Sequence, residues 1–290
     1  MTTMLRRDCL TPKLLWPSLI AVAVLCSAAP LVGQGGGSFR GGGRDPNPRD
    51  VLWGLPDTPA GFYVCRLMYT QTAYDSSGSG WSIEYPRADI NFMKRISQLT
   101  TTEVAYWRDG RSGGMGHTVV RATDPDLFRC PWLVMASPGS AGFDPDEGDA
   151  LRAYLLKGGF LWADDFWGDG PWNHWVDQIS RVLPEYSIVE LPPEHPLFSI
   201  LYDVREIPQI PSLNRWRRGM STAELPGPEY ATPHARGIFD EKGRLLVLMT
   251  HNTDINDGFE RESDLVSYFE EFAWRAYALG INVAIWAMTH

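Results

Sequence analysis

The sequence predicts an α/β fold, a three-layer sandwich in which helices cover both faces of a mostly parallel sheet. Segments rich in β-branched and aromatic residues alternate with segments of helical periodicity through the middle of the chain. The run PWLVMAS (131–137) is apolar almost throughout, which is typical of a strand buried on both faces. The segment 144–159 has the start and stop signals of a helix between two such strands.

The strands and helices are predicted from residue composition, periodicity and the residues that start or stop a helix. The predicted strands are 62–70, 102–107, 117–123, 131–137, 160–165, 186–191 and two within 235–250 joined by a turn at 241–243. The predicted helices are 87–100, 144–159, 171–183 and 263–280. In the second helix, Asp144 is the expected cap, Pro145 the first residue and Gly158 the stop. The last helix is expected to end at Gly280, with 281–290 as a short strand or extended tail.

The N-terminus has the pattern of an export signal. A basic start precedes an apolar run at 14–29, and we assign residues 1–34 to a signal peptide; a retained anchor helix is the alternative. Residues 35–60 form a Gly/Pro-rich linker. Residues 61–290 are then a single domain with an irregular insertion at about 192–233, which suggests a binding surface or lid. The expected location is periplasmic or extracellular, with no membrane span after cleavage.

Charge and composition limit the partners. The net charge of -9 disfavours nucleic acid and anionic lipid. Twelve tryptophans are a high count. Some are expected in the core, and any on the surface would suit stacking on a sugar ring or a protein partner. Cys65 and Cys130 are the cysteines that follow the signal. They could pair in an oxidising compartment or remain two buried thiols.

Two adjacent aspartates define the first candidate site. Asp164 and Asp165 end an apolar strand, and ligands of parallel sheets bind beyond the carboxyl ends of strands. A turn into Trp167 would let both carboxylates bind a cation or position a hydroxyl. In the alternative interpretation, one aspartate caps backbone N–H groups and the other faces solvent.

Four further residues extend this candidate site. His195 lies in a proline-fixed loop and could be a base or a ligand, and a divalent cation held by Asp164, Asp165 and His195 is one ligand set to test. His251 and Asp254 follow the strand before them, where an Asx turn is the plainer interpretation. Arg66 interrupts the first strand and, if buried, needs a carboxylate, which Asp89 or Glu84 could supply.

Several segments resemble a bacterial family, the domain of unknown function 4159. They are RLMY (66–69), W-x-I-E-Y-P-R-A-D-I-N (81–91), TDPDLF (123–128), LRAYLLKGGFLWADDFWG (151–168), HPLF (195–198), HNTDINDGFE (251–260) and LGINVAIWAMTH (279–290). The resemblance covers roughly residues 60–290. It implies a fold similar to the class I glutamine amidotransferase superfamily, with flavodoxin-like topology. In that superfamily the turn occupied here by Asp164 and Asp165 holds a nucleophilic cysteine, so the resemblance implies no glutaminase activity.

Three functions remain open from the sequence. The first is an exported binding or scaffold protein of the cell envelope, whose ligand is a carbohydrate, a peptide or a protein. The second is a carboxylate- and histidine-dependent hydrolase, metal-assisted in one version, that acts on envelope or polysaccharide material. The third is a structural component of an envelope assembly. No P-loop or H-E-x-x-H motif occurs. The pattern G-x-S-x-G occurs at 110–114, but in a glycine-rich turn between two predicted strands and not on the strand-to-helix elbow of hydrolases.

Overall fold

The computed structural model describes residues 55, 59–75, 78, 80–106, 114–219 and 221–290. The predicted signal peptide and residues 35–54 of the predicted linker lie outside this part of the chain. Within it, no helix combines the length and the apolar character needed to cross a bilayer.

A mostly parallel seven-stranded sheet forms the centre of the fold, as the sequence predicts. Its strands are β1 (Val64–Met68), β3 (His117–Arg121), β4 (Leu133–Ala136), β6 (Leu161–Asp164), β7 (Ile188–Glu190), β8 (His234–Phe239) and β9 (Leu245–His251). The order across the sheet is β3-β1-β4-β6-β9-β8-β7. The first five strands in that order run parallel, and β8 is antiparallel to both β9 and β7. A separate ribbon pairs β2 (Thr70–Gln71) with β5 (Ala141–Gly142).

Helices cover both faces of this sheet. They are α1 (Arg87–Leu99), α2 (Pro145–Leu156), α3 (Asp169–Val182), α4 (Leu213–Arg217), α5 (Ile255–Glu260), α6 (Val266–Tyr268) and α7 (Trp274–Thr289), with a π-helical turn at Phe269–Ala273 between the last two. Successive strand residues point to opposite faces. Leu133 and Met135 therefore join the core beneath α2 and α3, whereas Val134 joins the core beneath α1, α5 and α7.

The local signals of α2 are confirmed. The Asp144 side chain accepts a hydrogen bond from the backbone N–H of Glu147 (2.8 Å), and the Glu147 carboxylate accepts one from the N–H of Asp144 (3.1 Å). This capping box satisfies two N–H groups that a helix start leaves unpaired. Pro145 is the first helical residue, and Gly158 follows the helix with a φ of +116°, a conformation that favours glycine.

Two predicted strands are wrong. The segment 102–107 makes only isolated bridges in its described part, Val104 with Phe62 and Tyr106 with Met115. Val104 bridges to Phe62, before β1 begins, and β1 itself pairs with β3 on one side and β4 on the other. The predicted strand or tail at 281–290 is instead the second half of α7, which runs through Gly280 to Thr289.

Gly280 is a packing residue and not a helix stop. A Cβ at this position would lie 2.6 Å from Cζ of Phe259 and 3.0 Å from Cε2 of Phe92. The glycine therefore lets α7 approach the aromatic core beneath it. The helical segment also begins at Val266, three residues after the predicted start at residue 263.

Gly280→Ala tests this close approach. Overpacking a core costs about 1–3 kcal/mol, and alanine returns up to about 1 kcal/mol of helix propensity. We expect the free energy of unfolding in urea to fall by about 1–2 kcal/mol. Gly170→Ala in α3 is the matched control, because a Cβ there has no neighbour within 4 Å. An equal effect of the two substitutions would contradict the packing role.

Candidate functional site

The carboxyl edge of the sheet carries three strained turns side by side. Ser137, Asp165 and Asn252 are the first residues after β4, β6 and β9, and their φ values are 48°, 61° and 59°. This left-handed conformation costs a non-glycine residue roughly 1–3 kcal/mol and clusters at functional sites. Glu84, just before α1, has the same conformation with a φ of 59°.

Three carboxylates meet at this edge. Glu84, Asp165 and Asp254 each place a carboxylate oxygen within 4.8 Å of the others, and we call this group the carboxylate cluster. Glu84 comes from the β1–α1 connection, Asp165 from the turn after β6, and Asp254 from the start of α5. All three residues are buried, with exposed fractions of 8%, 4% and 6%.

The cluster oxygens have few donors. Asp165 accepts one hydrogen bond, from Nε1 of Trp167 (3.1 Å). Asp254 caps α5 by accepting from the N–H of Asp257 (2.7 Å). In the described part of the chain, Oε2 of Glu84 accepts no hydrogen bond, and its ion-pair contact with Nη1 of Arg66 is long, at 3.9 Å. Since a carboxylate offers about four acceptor sites, the cluster keeps free capacity for a ligand.

Burial makes these charges costly. Desolvation raises the pKa of Glu84, Asp165 and Asp254 well above the ordinary range. The negative charge of Asp165 raises the pKa of both Glu84 and Asp254 further. For Asp165, the negative charge of Asp75 is the largest electrostatic contribution after desolvation. A bound cation would relieve both effects.

Asp164 and Asp165 are adjacent in sequence but have different roles. Its Oδ1 accepts a hydrogen bond from the Thr250 hydroxyl, and its Oδ2 accepts from the backbone N–H and from Nδ2 of Asn256, both at 2.9 Å. Burial raises the pKa of Asp164 to about 7. Asp164 thus ties β6 to β9 and α5, whereas Asp165 joins the carboxylate cluster.

Arg66 has both of the predicted carboxylates as partners. Its Nε and Nη2 donate to Oδ2 of Asp89 at 3.0 and 2.7 Å, and its Nη1 donates to the carbonyl oxygen of Ile83 (3.1 Å). Glu84 is the more distant partner. The side chain of Arg66 is 1% exposed, so this charge is compensated entirely inside the protein.

His251 does not contact the cluster. Its Nε2 donates to the carbonyl oxygen of Gly168 (3.1 Å) and its Nδ1 accepts from Nη1 of Arg236 (3.1 Å), a tautomer assigned from this pattern. Burial lowers the pKa of His251 to about 3. The ring is therefore neutral with both nitrogens engaged. It also packs against Trp172, over which Arg236 is stacked.

His195 lies near the amino ends of the parallel strands, opposite to the carboxylate cluster. Its ring packs against Phe239 and Trp286, and Phe239 pairs with Leu245, the first residue of β9. Asp165 follows the last residue of β6, which runs parallel to β9. The chain turns back after β7, so the ligand set Asp164, Asp165 and His195 is not brought together. Glu84 and Asp254 take the places beside Asp165.

The insertion at 192–233 forms one wall of this region. Nε2 of Gln209 donates to the carbonyl oxygens of Tyr230 (2.9 Å) and Asn252 (3.2 Å). Nδ2 of Asn252 donates in turn to the carbonyl oxygens of Glu229 (2.8 Å) and Thr232 (2.9 Å). These hydrogen bonds hold the segment against the strained turn after β9.

The raised pKa values predict a pH dependence of stability. Aspartates and glutamates of the unfolded chain lose their protons near pH 4, whereas Asp164 keeps its proton up to about 7. Between these pH values the folded state binds more protons, so the free energy of unfolding falls as pH rises. In metal-free buffer we expect it to be lower at about pH 8 than at about pH 5, by more than the ~1.4 kcal/mol of one pKa unit.

Urea titrations at the two pH values measure this difference. The double variant Asp165→Asn/Asp254→Asn should show a smaller decrease, because it removes two of the buried acids. A wild-type protein equally stable at both pH values would contradict the buried, protonated state of these groups.

Comparison with known proteins gives one family. A family model described as "Domain of unknown function (DUF4159)" matches residues 66–288. A search of curated proteins returned no match. The matched range begins within β1 and includes the carboxylate cluster and nearly all of α7.

Proposed function

The chain belongs to the DUF4159 family, and we propose that it is an exported domain that binds a divalent cation and a ligand or partner of the cell envelope. The observation that carries the proposal is the convergence of Glu84, Asp165 and Asp254 within 4.8 Å. Three carboxylates this close repel one another in a low-dielectric site. A divalent cation turns the repulsion into attraction, and oxygen-only ligands suit Ca²⁺, Mg²⁺ or Mn²⁺.

The free oxygen of Glu84 supports a cation in preference to a purely structural cluster. Buried polar atoms normally have a partner, yet Oε2 of Glu84 has no hydrogen-bond donor among the described residues. The left-handed backbone of Glu84 and Asp165 brings both side chains to this point at a cost in stability. Cation binding would offset that cost.

The disulfide supports export. Cys65 and Cys130 are bonded to each other, and such bonds persist in oxidising compartments. The described chain then offers no free thiol, which supports a protein without a cysteine-based glutaminase reaction. The envelope partner is a carbohydrate, a peptide or a protein on this proposal.

The strand order supports the glutamine amidotransferase-like topology. Counted by themselves in chain order, the five parallel strands lie as 2-1-3-4-5 across the sheet, which is the flavodoxin-like order. Asp165 follows the fourth of these strands in a left-handed turn. On this proposal the protein keeps the location of the superfamily site with different chemistry.

Cation binding is tested by melting temperature and calorimetry. The protein is stripped with EDTA and titrated with Ca²⁺, Mg²⁺ or Mn²⁺. At a hundredfold excess over Kd, binding adds about 2.7 kcal/mol, which for a chain of this size is a rise of about 5–10 °C. We expect a saturable rise with at least one of the three cations.

Two variants give the contrast. Asp165→Asn/Asp254→Asn should abolish the rise, whereas Asp146→Asn, at an exposed position in the first turn of α2, should leave it intact. If none of the three cations binds, or if the double variant binds like wild type, the cation proposal fails.

A metal-assisted hydrolase is the second candidate. It is favoured by the strained turns at Ser137, Asp165 and Asn252, since strain of this kind collects at catalytic sites. His251 is neutral and fully engaged, so a cluster carboxylate would act as the base. Release of soluble fragments from purified cell-wall polysaccharide, dependent on the cation and lost in Asp165→Asn, would support this function. Cation binding without any fragment release would leave the binding role.

A structural role in an assembly has less support. The inner face of the α6–α7 region is buried, including Tyr268, Phe272 and Tyr277. Val266 and Trp274 are exposed on its outer side, with exposed fractions of 73% and 52%. Isolated exposed apolar residues are common on monomers.

A further inference from the structure

A cavity lies at the carboxyl ends of β1 and β3, and its described lining includes no member of the carboxylate cluster. Its volume is about 270 Å³, and its wall comes from residues 68–71, from 80–82 and from Arg121. At about 30 Å³ for each water in the liquid, this is room for about nine waters, or for a group of the size of a monosaccharide. Thr70 and Gln71 are exposed, so the cavity reaches solvent.

Arg121 gives this cavity its charge. It is the last residue of β3 and is half-buried, and its backbone N–H donates to Oδ2 of Asp124 (2.7 Å). Every other half-buried arginine of the described chain has a carboxylate within 4.0 Å; these are Arg87, Arg95, Arg129, Arg152, Arg215, Arg236, Arg244 and Arg261. In the described part of the chain, the guanidinium of Arg121 has no carboxylate within 4.0 Å and no hydrogen-bond acceptor. In a protein with a net charge of -9, this is an unusual place for an uncompensated cation.

The rest of the wall adds donors and no acid. Among the described residues that line the cavity, none is an aspartate or a glutamate. Trp81 lines it and is 3% exposed, and its indole Nε1 is a buried donor without an acceptor in the described chain. Buried donors normally find a partner. Thr70 and Ser82 add hydroxyl groups to the wall.

We propose that this cavity binds a small organic anion, with Arg121 as the ion-pair partner of its carboxylate or phosphate group. The planar guanidinium presents paired donors that match either oxyanion. The position agrees with the rule that open α/β sheets bind ligands outside the carboxyl ends of their strands. None of the lining residues belongs to the carboxylate cluster, and the proposed ligand has the opposite charge to the cation.

Calorimetry with defined probes tests the proposal. The purified protein is titrated with D-glucuronate, inorganic phosphate and D-glucose, all in EDTA, so that an anion held by a cation at the carboxylate cluster is not mistaken for this site. We expect glucuronate or phosphate to bind, and glucose to bind much more weakly. The anion that binds identifies the group that Arg121 recognises.

Variants locate the binding. Arg121→Gln should weaken the affinity for the anion by about tenfold or more, since a hydrogen bond to a charged group is lost. Arg121→Lys should recover part of this affinity, because it restores the positive charge without the paired donors of the guanidinium. Arg205→Gln removes the same charge from a highly exposed position and should change affinity less than about twofold. The proposal is overturned if neither anion binds at concentrations on the order of 10 mM, or if Arg121→Gln binds like wild type.

Discussion

Arg66→Met is expected to lower the free energy of unfolding by about 3–5 kcal/mol, because it leaves a buried carboxylate without its partner. Asp89 is buried and receives two hydrogen bonds from Arg66 on its Oδ2. Methionine fills much of the arginine's volume, so the loss of charge dominates over a loss of packing. Urea denaturation at neutral pH measures the change.

The double variant Arg66→Met/Asp89→Leu separates charge from packing. Replacing both members of a buried pair is often close to neutral, so it should regain at least about half of the loss. The regain is partial because Glu84 also faces Arg66. Arg205→Met, at an exposed ion pair, should change stability by less than about 0.5 kcal/mol. Equal losses in the single and double variants would show that packing, not charge, is the cause.

Cys65→Ala/Cys130→Ala is expected to cost about 4 kcal/mol. The disulfide closes a loop with a sequence separation of 65 residues, and a cross-link of this span removes that much entropy from the unfolded chain. It connects β1 with the residue that follows the short helix at Pro125–Arg129, just before β4. Chemical denaturation of the oxidised protein and of the double variant gives the difference.

Reduction provides the control for the disulfide. Dithiothreitol should destabilise the wild type to about the level of the double variant and leave the variant itself unchanged. A loss below about 1 kcal/mol in both experiments would mean that the bond restrains little of the unfolded chain.

Elements with local signals could be predicted from the sequence. The start and end of α2 follow from Asp144, Pro145 and Gly158, whose conformational preferences act within a few residues. Gly280 shows the limit of such signals. Its glycine is required by a contact with Phe259, which lies in another helix, and no local pattern distinguishes that role from a helix stop.

The candidate site was only partly predictable for the same reason. Asp165 and Asp254 can be predicted as site residues because each follows a strand. The sequence predicts Glu84 only as an ion-pair partner of Arg66. Its place in the carboxylate cluster depends on the fold of the β1–α1 connection, which the sequence does not encode as a motif. His195 is predicted at the site because it follows a strand. In the structure the chain turns back after β7 and brings His195 to the amino end of β9.

The two outermost strands of the sheet determine how copies of the protein can meet. An open strand edge is a template for pairing with another chain, and proteins blunt it with short or covered strands. Here β7 has three residues and ends in the charged Glu190, and residues 117–120 of β3 are buried. Neither edge therefore offers a long flat ladder, so self-association through continuous intermolecular β-structure is disfavoured. Contacts between copies at these two edges would then rest on side-chain surfaces.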